Sequence, residues 1–84
     1  MVSYLILCRS LTYAQRTAHV LERSGIHGYV MRTPRSVSSE GCGYCVKISE
    51  RWLTKALSAL NHEGLGPKQV YVERQDHTYD EVST

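Results

Sequence analysis

The chain has 84 residues, enough for one domain with a modest core and too few for a second domain. Hydrophobic residues at 42%, charged residues at 21% and two prolines exclude a disordered or low-complexity chain. Ten Lys and Arg against eight Asp and Glu leave a formal charge of +2, too weak a bias to point to nucleic acid or an anionic membrane, so any electrostatic argument must be local.

Val2 to Cys8 is an apolar, β-branched and aromatic run closed by Arg9-Ser10, the pattern of a strand buried on both faces. The run is far too short to span a bilayer, and it lacks the basic start and small-residue cleavage site of a secretion signal. The expectation is a cytoplasmic protein without a membrane partner. From Leu11 the period becomes helical: Leu11, Ala14, Ala18 and Leu21 share one stripe, which predicts a helix over 11–24. Thr12 with Gln15 fits a capping box, Ser10 competes as the cap, and Gly25 suits the left-handed residue that ends a helix.

His27 to Arg32 reads as a second strand, broken by Thr33-Pro34-Arg35 because proline donates nothing to a ladder and pushes Thr33 into an extended conformation. Ser36 to Gly43 has the serines and glycines of a loop. Tyr44, Val46 and Ile48 alternate with Cys45 and Lys47, so a third strand begins there with one apolar and one more polar face. Ser49 is placed to cap a second helix, in which Trp52, Leu53, Ala56, Leu57 and Leu60 recur at helical spacing up to Gly64. Gln69 to Glu73 is a fourth strand. Residues 75–84 are polar and acidic, and are expected to form a frayed tail beyond a domain of residues 1–74.

The order of these elements predicts an α+β fold, the ferredoxin-like β-α-β-β-α-β sandwich, in which a four-stranded antiparallel sheet carries two helices on one face. That topology gathers Cys8, Arg9, Arg32, Arg35, Cys42 and Cys45 at one end of the sheet, with the N-terminus of the first helix.

Three cysteines without a secretion signal suggest reduced thiols rather than a disulfide framework. Cys42-Gly43-Tyr44-Cys45 is a pair that can hold a metal, cycle between dithiol and disulfide, or carry a group on one thiolate. Cys45 leads into a strand rather than opening a helix, which counts against thioredoxin-type chemistry. The pair does not follow the first strand, as it does in metal carriers of this fold class, and His19, His27, His62 and His77 show no ligand spacing to it. The histidines read as surface or packing residues, and no metal site is assigned. Cys8 ends an apolar strand and reads as a small buried hydrophobe. Cys42, between two glycines, has the strongest claim to exposure as the working thiol, and alternation allows Cys45 to face away from the helices. Cations and a helix N-terminus nearby favour a thiolate, with Ser38, Ser39, Gly41 and Gly43 as further donors.

Thr33-Pro34-Arg35, the serine pair Ser38-Ser39 and the Cys42-Gly43 step resemble the selenium/sulfur carrier protein-like family over nearly the whole domain. The resemblance implies a carrier with Cys42 as the carrier cysteine, and the leading reading is that Cys42 bears sulfur or selenium as a persulfide-type adduct, with Cys45 placed to release it by forming a disulfide. Arg35 and Arg32, with Thr33, Ser39 and Gly43, would stabilise the anion. Cys45 is additional to the minimal motif, and Glu40-Gly41 before Cys42 departs from its simplest spacing. Such a carrier is not itself an enzyme, needs no cofactor, and has sulfur or selenium donor and acceptor proteins as partners. The competing readings are an interaction or regulatory module that docks on a partner or forms a homodimer through Tyr29 and Met31, with incidental cysteines, and a thiolate metal-binding protein. The third strand lacks the aromatic and basic spacing of an RNA-binding sheet.

Overall fold

Apolar runs of period two alternate with runs of helical period, and the computed structural model, which describes residues 2–37, 43–67 and 69–82, turns each into the matching element. The order is β1 (Ser3–Cys8), α1 (Leu11–Arg23), β2 (Tyr29–Arg32), β3 (Tyr44–Ser49), a 3-10 turn (Glu50–Trp52), α2 (Leu53–His62), β4 (Val70–Glu73) and β5 (Tyr79–Val82). The strands pair antiparallel in the order β2-β3-β1-β4-β5. The first four therefore have the ferredoxin-like arrangement, but the sheet is five-stranded rather than four-stranded.

The additional strand corrects the reading of residues 75–84 as a frayed tail. Arg74 and Thr78 close a turn in which the Arg74 amide donates to Thr78 and the His77 amide donates to Arg74. His77 adopts φ 62°, and the Asp76 carboxylate accepts from the Thr78 amide and hydroxyl. Polar side chains make this turn locally, so hydropathy does not reveal it. Tyr79 and Val82 then supply half-buried positions on a strand that is otherwise exposed.

Ser10, not Thr12, caps α1: its hydroxyl accepts from the Tyr13 amide at 3.1 Å. Ser49 makes no cap bond, and the chain enters α2 through the 3-10 turn instead. Both helices end alike. The Ile26 amide donates to Leu21 and the Leu65 amide to Leu60, with Gly25 and Gly64 at positive φ between them. Ile26 and Leu65 are buried by these turns, which fasten the helix ends to the core.

The sheet buries a different cluster on each face. On the helical side Ile6, Cys8, Val46, Ile48 and Val70 pack against Ala14, Leu21, Ala56 and Leu60. Each fully buried aliphatic side chain of this kind contributes about 1.5–3 kcal/mol. On the other side Leu5, Leu7, Cys45 and Val37 form a smaller cluster, flanked by Met31, Tyr71 and Tyr79. Val37 lies in the segment read as a polar loop, and it closes over a sheet face that the helices leave uncovered.

Candidate functional site

The C-terminal ends of β1 and β2 and the start of β3 meet in one row, Cys8 opposite Tyr44 and Tyr44 opposite Arg32. The Thr33 amide extends this row by donating to the Gly43 carbonyl at 3.1 Å, so Pro34 breaks the ladder only after Thr33 has used its donor. The segment leaves the sheet at Thr33 and returns at Gly43, which is exposed. Cys42, Ser38, Ser39 and Gly41 lie outside the described residues. Cys42 directly precedes Gly43 in the sequence.

Arg32 and Arg35 are exposed, and the Arg32 guanidinium rests over the Tyr44 ring at 5.5 Å. Arg9 similarly covers Tyr13 at 5.4 Å, beside the N-terminus of α1. The structure thus brings Arg9, Arg32, Thr33, Gly43 and Cys45 to one end of the domain, with Arg35 in the turn that follows. The sheet separates the other two thiols: Cys8 belongs to the helical face and Cys45 to the opposite one. The Cys8 thiol lies 3.6 Å from the Ile6 carbonyl and 3.8 Å from the Thr17 hydroxyl, consistent with its reading as a core residue.

Cys45 faces away from the helices, between Leu7 and Met31, and is 0% exposed. Burial pushes its thiol up to about 11. The neighbouring Thr33 hydroxyl favours the thiolate, but it is buried without making a hydrogen bond of ordinary geometry, and burial prevails. Cys45 is therefore a protonated, packed thiol in this conformation, a poor nucleophile despite its place in the Cys-x-x-Cys pair. Of the two residues read as partner contacts, Tyr29 is 66% exposed, whereas Met31 is partly buried against the Cys45 cluster.

Farther along the same face, a feature that sequence reasoning missed joins three strands. Lys47 on β3 forms an ion pair with Glu73 on β4 at 3.0 Å, and Glu73 also accepts from the Tyr79 hydroxyl of β5 at 3.1 Å and approaches His77 at 3.4 Å. Burial alone would raise the Glu73 carboxyl, but hydrogen bonds from Lys47, His77 and Tyr79 outweigh it and hold the group below its ordinary range. Tyr79 moves the opposite way, raised by burial and by the carboxylate it serves. The only sequence signal was a pair of opposite charges on inward-alternating positions of two separate strands.

A family model described as "Putative Se/S carrier protein-like" matches residues 3–72, most of the chain and the whole row just described. The chain belongs to that family. The Se/S carrier-like match spans the Thr33-Pro34-Arg35 break, the Cys-x-x-Cys pair and β1 through most of β4, and stops short of β5. No curated protein and no solved structure matches the chain significantly. Among the described residues, no group of three or more His, Cys, Asp or Glu side chains is arranged to hold a metal ion, and no helix is long and apolar enough to cross a membrane.

Proposed function

We propose that this Se/S carrier-like protein carries a sulfur or selenium atom on Cys42 between a donor and an acceptor protein. Family membership supports the reading most directly. It is joined by the burial of Cys8 and Cys45, which makes either of them a poor carrier thiol. In the loading step the Cys42 thiolate attacks the terminal sulfur of a donor persulfide. The donor sulfur–sulfur bond breaks, the donor thiol leaves with the electron pair, and Cys42 becomes the persulfide, with no net oxidation. Arg32 and Arg35, exposed at this end of the sheet, supply positive charge to the anionic adduct.

Release onto a nucleophile of the acceptor reverses these roles and leaves Cys42 as a thiolate. Attack by Cys45 would instead form a Cys42–Cys45 disulfide and expel hydrosulfide. That route requires Cys45 to leave its packed position and lose its proton, so we assign release to the acceptor. Cytoplasmic donor and acceptor proteins are the partners this chemistry requires.

The test is intact-mass analysis after incubation with a cysteine desulfurase and cysteine, and separately with a selenium donor. A reducible adduct of one sulfur or selenium atom is expected on Cys42, lost in Cys42→Ser and retained in Cys45→Ala. Full loading of the Cys42→Ser protein would sink the proposal.

A further inference from the structure

The outer side of the helical layer has a chemistry unrelated to the thiols. The residues Arg51, Lys55, Ser58 and His62 recur at spacings of four, three and four, so they share one face of the 3-10 turn and α2. With Arg23 of α1 they line a groove of about 950 Å³ between the two helices, in which Trp52 is the large apolar element. Lys and Arg outnumber carboxylates there by three to one, a local excess equal to the net charge of the whole chain. The single carboxylate, Glu63, is paired with Arg23 at 3.5 Å across the groove. Among the described residues, Arg51 and Lys55 have no carboxylate at ion-pair distance, and both cations sit 5.5 Å from the Trp52 ring.

We propose that this groove is a docking site for an acidic segment of a partner protein. Arg and Trp are the residue types that anchor interfaces, and two unpaired cations held against an indole are pre-positioned donors for carboxylates. Nucleic acid fits less well. Trp52 is already occupied by two cations rather than open to a stacking base. A second copy presenting that hairpin also fits less well, because Glu73, Asp76 and Asp80 are engaged by Lys47, Thr78 and Arg74 of their own chain.

Trp52 is the sole tryptophan, so intrinsic fluorescence reports on the groove directly. The full chain is titrated with a tryptophan-free peptide of alternating Glu and Asp, and affinity is checked by calorimetry. A saturable response is expected, weakening several-fold between about 0.05 and 0.3 M salt. It should weaken at least about tenfold in R51E/K55E and, separately, in R51Q/K55Q, with thermal melts confirming that both fold. R74E, at the hairpin, should leave it unchanged. Absence of saturable binding, or equal affinity in both double variants, overturns the proposal. Tighter binding of a uridine oligomer than of the peptide overturns it in favour of nucleic acid. Self-association abolished by R51E/K55E overturns it in favour of a second copy. None of these outcomes depends on Cys42, so the docking site and the carrier reading fail independently.

Discussion

Lys47 reaches over β1 to pair with Glu73 at 3.0 Å, so one ion pair ties together strands that are not neighbours in the sheet. Glu73 is only 12% exposed at its side chain and Lys47 38%, and the carboxylate also receives Tyr79 of the edge strand. The pair is thus the polar counterpart of the Cys45 cluster, closing the part of the open sheet face that apolar side chains do not cover.

Removing the carboxylate leaves Lys47 facing a half-buried site without its partner. Glu73→Gln is expected to lose about 1–2 kcal/mol in urea denaturation. Lys47→Met should lose at least as much, because it leaves the Glu73 carboxylate, with a side chain only 12% exposed, without its cation. A double-mutant cycle that gives no coupling would show that the two residues act separately.

The same group contributes to the acid dependence of stability. The folded state holds the Glu73 carboxyl below its unfolded value of about 4.3, so its contribution is present above that pH and is lost as pH falls through the folded value. Urea midpoints measured through the acid range should fall for the wild type and fall less steeply for Glu73→Gln. Parallel curves would remove Glu73 from the acid transition.

Cys45 acts at the alkaline limit, with the opposite sign. Its thiol is raised to about 11 in the folded protein, so the protonated form is favoured by folding. The resulting stability, on the order of 3 kcal/mol, is complete below the unfolded value of about 8.5 and disappears as pH rises toward the folded one. Cys45→Val should flatten this alkaline limb. Alkylation followed by peptide mapping should label Cys45 at least about a hundredfold more slowly in the native protein than in urea. Comparable rates would mean that Cys45 is accessible.

Gly28 has a steric reason to be glycine. A Cβ there would lie 2.7 Å from Val46 Cγ1, inside the helical-face core. Gly28→Ala is therefore expected to cost about 1–3 kcal/mol, and Val46→Ala in the same chain should recover part of that loss. Thermal melts of the single and double variants decide it.

The polar segment at residues 79–82 should behave as a strand. Its ladder amides with β4 are expected to exchange more slowly than those of the exposed Arg74–Thr78 turn, and Tyr79→Phe should narrow the difference by removing the bond to Glu73. Uniformly fast exchange from 74 onward would contradict the five-stranded sheet.

Much of this architecture was legible in local pattern. Leu5-Ile6-Leu7, the Ala14–Leu21 stripe, the Tyr44-Val46-Ile48 alternation and Gly25 each specify an element through the residue's own neighbours, and antiparallel right-handed connections leave few ways to join them. The same logic placed Cys8, Arg32 and Cys45 at one end of the sheet. Tertiary structure decided what depends on residues distant in sequence. It chose Ser10 over Thr12 as the cap, folded Val37 onto an otherwise bare sheet face, and separated Cys8 from Cys45 by that sheet. It also turned a polar tail into β5, where Tyr79 donates to the Glu73 carboxylate that Lys47 pairs with across β1. Hydrophobic period reports burial along one element, whereas a polar contact between strands has no period to read.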